Sequence, residues 1–404
     1  MGTKTTDHAG RGNDAADPVA AVASLTEMIR RGCADVDKTR ALPAAVTTAL
    51  QEAGVFRLLA PRDLGGAEVD PVTFFKVVEA AACADGSVGW CAMIGGAYAA
   101  FGGLLPEAGA RAIFGDPATI AAGAFRPTGV AREVDGGYRV TGRWALASGS
   151  SHATWYIAGC TVLRDDQPVI GPAGVPLMRE IFVPAASVEI IDTWESTGLR
   201  GTASHDYALS DVFVPAARTL WFQEPPRCDG ALYRMPPIAM FVTFIGAVPL
   251  GIARHALEAF TALAAAKATP PGEGVLADRP AAQAALGRAH ALVAAGRAYL
   301  LETLGGLWTR VQSGDAPSLA DRGALWLAAT AAAHDALEAI ERLYTAAGSS
   351  AVYGRCPLDR CLRDARTAVQ HAGTQETNFE LAGRHLLGRD TLASTWGHDY
   401  RGEG

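Results

Sequence analysis

The sequence predicts an α+β protein in three consecutive parts: an N-terminal helical domain, a central β-barrel domain and a C-terminal four-helix bundle. Three observations predict it. From Val19 to about Phe114, apolar residues recur three and four apart, the spacing of one helix face. From about Thr119, short runs alternate in polarity and are separated by turn residues, as half-buried strands do. After about Pro236 the helical period returns in four long Ala- and Leu-rich segments, which together imply a bundle. The parts fall at 1–18 (a disordered tail), 19–118, 119–232 and 233–404.

In the first part, Val22, Leu25 and Ile29, then Ala45, Leu50 and Val55, mark apolar helix faces. Leu58-Leu59-Ala60-Pro61 with Gly65-Gly66 breaks the pattern. An Ala-rich helix follows over Pro71–Ala84, and Asp85 or Ser87 is placed to cap the next. In the second part, Gly136-Gly137 makes a turn leading into the strand Tyr138–Trp144. Further strands are expected at Thr154–Cys160, Ile181–Val183, Val188–Ile191 and Tyr207–Val214; this even spacing suggests a small barrel. In the third part, helices are expected over Ile238–Ala266, Pro280–Ser313, Asp321–Ala347 and Arg360–Leu386, with a loop at Thr269-Pro270-Pro271-Gly272. A ligand held between the β domain and the bundle gives this arrangement its reason.

Composition narrows the function. The chain has 404 residues, 49% of them hydrophobic, enough for a large core, and its net charge of −7 with no Lys/Arg run argues against nucleic acid. Seven scattered cysteines without a C-x-x-C pair read as reduced thiols of a cytoplasmic protein with no metal site. Met1–Pro18 lacks the apolar stretch of a signal peptide, and Ile238–Ala253 reads as a buried helix, not a membrane span. There is no G-x-S-x-G, H-E-x-x-H, P-loop or G-x-G-x-x-G after a strand, so a built-in nicotinamide site is not expected.

One segment is more specific than a Gly/Ser turn. Trp194-Glu195-Ser196-Thr197-Gly198-Leu199-Arg200-Gly201-Thr202-Ala203-Ser204-His205-Asp206-Tyr207 precedes a strand ending Val212-Phe213-Val214-Pro215. It resembles a turn in the β domain of the acyl-CoA dehydrogenase superfamily. The resemblance extends to Leu59-Ala60-Pro61 with Gly65-Gly66, to Gly137–Trp144 with Ala147-Ser148-Gly149, and to Pro357–Arg366, and so covers nearly the whole chain.

The decisive stretch is Arg363-Asp364-Ala365-Arg366-Thr367-Ala368-Val369-Gln370-His371-Ala372-Gly373-Thr374. Medium-chain dehydrogenases of the family carry a Tyr-Glu pair where this chain has His371-Ala372, and that Glu is the base that removes a proton beside the thioester carbonyl. A carboxylate can accept a proton; Ala cannot. Some relatives place the base on the first bundle helix, but the matching stretch here is an Ala run, and Glu258 lies about two turns too early. The Arg of the family's R-x-x-F-G is also missing, with Lys267-Ala268-Thr269-Pro270-Pro271 in its place.

These departures resemble the two-component (group D) flavin-dependent monooxygenases built on the same fold. The resemblance implies reduced FMN or FAD delivered by a separate reductase, reaction with O2 through a flavin C4a-hydroperoxide, and a homotetramer. It implies His371 and Ser148 as catalytic residues. It places Phe125, Trp144, Ser148, Gly149, Arg363 and Thr374 at the cofactor, and Trp90, Tyr98 and His371 at the substrate. Taken alone, His371 also reads as a core histidine, Ser148 as a strand-end turn residue, and Phe125 and Trp144 as barrel packing. Gly86-Ser87-Val88-Gly89-Trp90 matches the aromatic hydroxylases of this branch, but Tyr98 stands where they carry a second His, so the substrate class stays open. His152 and His205 are expected near strand ends, facing solvent. The alternatives are a dehydrogenase with a displaced base and an inactive scaffold of the same fold.

Overall fold

The structure is a computed structural model that describes residues 17–172, 174–269 and 274–389. The expected tail, up to residue 16, and the Pro270-Pro271-Gly272 part of the expected loop lie outside the described residues. Four short helices open the chain: α1 (Pro18–Ser24), α2 (Thr26–Gly32), α3 (Val36–Thr39) and α4 (Ala44–Glu52). Then come α5 (Pro71–Ala84), α6 (Gly86–Tyr98) and α7 (Glu107–Phe114). Pro71 opens α5, where its missing N–H is no loss, and the Asp70 carboxylate accepts from the Thr73 N–H. Asp85 caps α6 by accepting from the backbone of Ser87 and Val88, so Asp85 and not Ser87 is the cap. All of α6 is buried.

Eight strands follow: β1 (Ala121–Val134), β2 (Gly137–Ala147), β3 (Trp155–Arg164), β4 (Gln167–Pro168), β5 (Met178–Pro184), β6 (Glu189–Ile191), β7 (His205–Pro215) and β8 (Thr219–Leu220). The β1–β2 hairpin turns at Gly136, whose φ of 75° belongs to the left-handed region that suits glycine. The strands form one mixed sheet in the order β6-β7-β2-β1-β3-β5-β8, with β4 paired to β3 and β1 parallel to β3. Among the described residues no pairing joins β6 to β8, so the expected barrel is an open sheet by hydrogen bonding. Side chains fill its hollow instead: Trp144 stacks on Tyr207 with ring centroids 5.2 Å apart, and Tyr207 meets Tyr156 at 5.2 Å.

The C-terminal helices are α8 (Ala231–Arg234), α9 (Pro237–Ala266), α10 (Pro280–Gln312), α11 (Leu319–Ala347), α12 (Pro357–Ala368) and α13 (Thr377–Leu386). Helix α9 is long and apolar enough to cross a membrane, but 83% of its most apolar window is buried inside the protein. It is the axis of the bundle, packed against α5, α10, α11 and α12. The fourth expected helix, Arg360–Leu386, is not continuous. It stops at Ala368, makes a 3-10 turn at Ala372–Thr374 and restarts at Thr377. Helical periodicity does not register such a break, because it follows the spacing of apolar residues and not the backbone hydrogen bonds that end a helix.

The helical parts are fastened by charge. Arg360 of α12 bonds the Asp85 carboxylate and donates to Cys33 O at 3.0 Å, while Arg363 donates to Asp37 at 2.8 Å and to Thr197 O at 2.7 Å. Asp85 is 5% exposed. Asp85→Ala removes the α6 cap and the nearest of three carboxylates around Arg360, leaving Asp37 at 3.9 Å and Asp364 at 3.8 Å, and should cost about 2 kcal/mol in urea unfolding.

Candidate active site

The site is built where α6, the end of β2, the loop before β7 and the 3-10 turn after α12 meet. Trp90 lies on α6, and its indole Nε1–H donates to Ser148 Oγ at 2.9 Å. Its ring also meets the His371 imidazole edge-on, with centroids 5.8 Å apart. One buried tryptophan thus links the two residues expected to be catalytic.

Ser148 belongs to a chain of hydroxyls with a fixed direction. Its Oγ is 2.8 Å from Ser204 Oγ, which is 2.6 Å from Thr202 Oγ1. The Thr202 hydroxyl donates to the Leu199 carbonyl at 2.8 Å. A hydroxyl has one proton. Thr202 spends its own on Leu199, so Ser204 donates to Thr202 and Ser148 donates to Ser204. Ser148 Oγ accepts from Trp90 and keeps one lone pair open. The loop that holds Ser204 and Thr202 is strained, with Leu199 and Ala203 both at positive φ. It is pinned by Gly201 N–H donating to Ser87 Oγ and Leu199 N–H donating to Asp364 at 2.6 Å.

His371 stands at the N-terminus of the 3-10 turn. Its Nδ1 accepts from the Gly373 N–H at 3.0 Å, which leaves the proton of the neutral ring on Nε2. Burial pushes its pKa down to about 4. The turn is braced from α11 and α13: His334 Nε2 donates to Thr374 O at 2.9 Å, and Asn378 Nδ2 donates to Ala372 O at 3.1 Å and to Thr330 Oγ1 at 3.2 Å.

Two turns beyond Trp90 on α6, Ala97, with Phe101 of the 3-10 turn that follows and Met240, Phe241 and Phe244 of α9, lines an apolar pocket. Tyr98 adjoins it, stacked on Phe101 and Phe241 at 5.6 and 5.7 Å and tilted against Phe125 at 5.2 Å. Its hydroxyl is committed to Gly123 O at 3.2 Å, and burial raises its pKa far from neutrality.

Several expected residues lie elsewhere. Trp144 is inside the sheet, donating to Gly159 O at 2.7 Å and stacked on Tyr207, so no flavin ring can rest on it. The residue that does present an apolar side chain beside Ser148 is Leu146, 60% exposed at a φ of 68°. Thr374 is fully buried and bonds the turn's own carbonyls. Arg363 spends its donors on Asp359, Thr197 and Asp37. Thr374 thus holds the His371 turn, while Arg363 ties α12 to α3 and to the loop before β7. Neither His152 nor His205 faces solvent. His152 packs on Phe56, its buried Nε2 has no partner, and burial lowers its pKa to about 4. His205 accepts from the Thr193 and Trp194 backbone. Glu258 pairs with Arg30 at 2.7 Å and is half exposed, away from this site.

The turn fits a flavin on this chain's own terms. Gly149, with φ 85°, has no side chain, and a Cβ there would come within 3.1 Å of the unpartnered His152 Nε2. Next to it stand the exposed Leu146 and the open lone pair of Ser148. Among the described residues no group of three or more His, Cys, Asp or Glu could hold a metal ion.

Known proteins match along nearly all of the chain. The family model "Acyl-CoA dehydrogenase, N-terminal domain" matches residues 19–109 and "Acyl-CoA dehydrogenase, C-terminal domain" matches residues 243–376. The chain is 32% identical to an indole-3-acetate monooxygenase of Pseudomonas putida, over 89% of this chain and 90% of that one. It is 30% identical to the flavin-dependent monooxygenase oxygenase subunit HsaA of Mycobacterium tuberculosis, over 93% and 96%. The structure of XiaF from Streptomyces sp. in complex with FADH2 and glycerol is similar with a TM-score of 0.85 and 25% identity, covering 92% of this chain and 95% of that one.

Native His371 stays neutral while the unfolded chain gains a proton below pH 6.5, so its contribution opposes folding increasingly as pH falls towards 4. His371→Gln removes that term. Relative to the parent, the variant should gain about 2 kcal/mol on going from pH 7 to pH 5 in denaturant titrations.

Proposed function

The chain belongs to the acyl-CoA dehydrogenase family, within its flavin-dependent monooxygenases, and we propose that it oxygenates a small aromatic compound using externally supplied reduced FMN or FAD. The observation that carries this reading is the Trp90 bridge between Ser148 and His371, two turns along α6 from an apolar pocket and with Ala372 in place of a carboxylate base. Reduced flavin, when bound, supplies the electrons that activate O2. The protein does the rest.

Ser148 Oγ offers a lone pair and no proton, because its own proton is held by Ser204. That suits the N5–H of a reduced flavin and disfavours the bare N5 of an oxidised one. Leu146, Gly149 and Phe125 are the neighbours we assign to the ring. Trp90 fixes the Ser148 rotamer and closes one wall of the substrate space. His371, neutral with its proton on Nε2, acts as a hydrogen-bond donor towards the substrate. Tyr98 shapes the apolar end of the pocket by stacking; its hydroxyl is occupied. Burial of Trp90, Tyr98 and Ser148 keeps water from the reacting centre. A separate reductase delivers the flavin, and the chain assembles as a homotetramer.

Two outcomes test this. With photoreduced flavin, O2 and an aromatic substrate, His371→Ala should lose about a hundredfold or more in oxygenation. Flavin oxidation should continue, its oxygen released as hydrogen peroxide. If product and peroxide are unchanged, His371 has no chemical role. Ser204→Ala frees the Ser148 proton, so oxidised flavin should bind several-fold more tightly relative to reduced flavin, read by fluorescence quenching under anaerobic and aerobic conditions. An unchanged ratio removes the hydroxyl relay from the account.

A further inference from the structure

The sheet carries one buried acid that the activity just described does not use. Glu180 lies in the middle of β5, paired with Gly159 of β3 on one side and Leu220 of β8 on the other. Strand alternation puts its side chain on the same face as Phe182, whose ring meets Phe101 at 6.4 Å and Phe114 at 6.2 Å. This is the face towards the helices, not the sheet's own hollow. Residue 159 is a glycine at a crowded point: a Cβ there would lie 2.2 Å from Phe125 O, where β1 loses register with β3 between Ala124 and Gly129. Glu180 therefore sits beside the irregular part of β1 that carries Phe125. Phe125 in turn meets Phe101 at 5.7 Å, Phe222 at 5.8 Å and Phe241 at 5.7 Å. Phe101 and Phe241 line the apolar pocket.

Glu180 is 7% exposed, and its Oε2 is buried with no hydrogen-bond partner. An unsatisfied buried polar atom costs free energy and calls for a reason. The protein treats its other buried glutamate in the opposite way. Glu79 is 1% exposed and is held by Arg297 at 2.7 and 3.0 Å, with Arg254 at 3.5 Å. Glu180 has no such cation, and burial holds its carboxyl well above the ordinary range, so it is a neutral acid that can both donate and accept.

We propose that Glu180, behind the Phe125 layer of the apolar pocket, is the specificity-determining polar group, binding a neutral hydroxyl or ring N–H on an otherwise apolar aromatic substrate. This rests on the oxygenase reading and deepens it. The aromatic walls accept the ring, and the orphan carboxyl oxygen selects among rings by the one hydrogen bond it lacks. An anionic substituent is rejected there, since the surrounding phenylalanines offer no counter-charge.

The test is binding without O2, by calorimetry on the full-length protein with reduced flavin, using two matched pairs: phenol against anisole, and indole against 1-methylindole. The parent protein should prefer the unmethylated member of each pair by about tenfold, the worth of one buried hydrogen bond. Glu180→Gln should keep most of the preference. Glu180→Leu should bring each pair within twofold while raising the thermal midpoint, because it removes an unpaired buried acid. If Glu180→Leu does not fold, infrared difference spectra decide. A protonated-carboxyl band should shift on adding phenol to the parent and be missing in Glu180→Gln. No preference in the parent, including no binding of either member, overturns the assignment, as does a preference that survives Glu180→Leu. Because no oxygen is present, these results stand apart from turnover. If preference is seen but neither compound is oxygenated, the proposed activity fails and the binding role stands.

Discussion

Helix α6 constrains everything around it, because all thirteen of its residues are buried and none is charged. A helix buried all round must have its free N–H groups satisfied and its neighbours brought close. Asp85 does the first. Small residues do the second: a side chain at Gly89 would lie 2.4 Å from Ala82, and one at Gly96 would lie 2.6 Å from Phe74. The cap brings its own difficulty, since Asp85 is itself a buried charge. Arg360 meets it from α12, the helix that leads directly into the His371 turn. One ion pair therefore fixes both the helix that presents Trp90 and the helix that precedes His371.

That coupling explains how a fold with an absent base can still hold a chemical site. With Ala372 at the position of the family's glutamate, proton abstraction from carbon has no agent here. The space and the turn remain. The break between α12 and α13 lets His371 accept a backbone N–H through Nδ1, and His334 and Asn378 hold the turn by its carbonyls. A continuous helix would have aimed residue 371 by helical geometry alone. The broken one fixes the tautomer as well, which matters more for a group that handles a proton.

The hydroxyl chain and the lone carboxyl illustrate two ways of placing polarity in an apolar interior. From Trp90 through Ser148, Ser204 and Thr202, every proton has an acceptor, so the chain costs little and has one direction. Glu180 is the opposite, an unsatisfied group buried on the helix-facing side of the sheet. The first presents a fixed acceptor. The second presents an unmet demand that a ligand can fill.

Much of the fold was legible locally. Helix α5 ends where Ala-rich periodicity ends, and the strands fall close to the alternating runs, because burial on one face writes its period into the sequence. His371, Ser148 and Trp90 were legible through family motifs, and they meet. Trp144 was placed at the cofactor by resemblance alone; the structure puts it where its reading as packing has it, within the β domain. Leu146, beside it, carries no sequence signal; only its left-handed backbone turns it outward. His334, Thr330, Asn378 and Glu180 were missed because their roles depend on contacts from distant segments. The sequence by itself determined the succession of helices, strands and helices, and the loss of a carboxylate at residue 372, since both are properties of residue type and order. The tertiary structure decided where the His371 helix breaks, which way the Ser148 proton points and which buried acid goes unpaired. Those depend on hydrogen-bond partners far apart in the chain, and no local pattern encodes them.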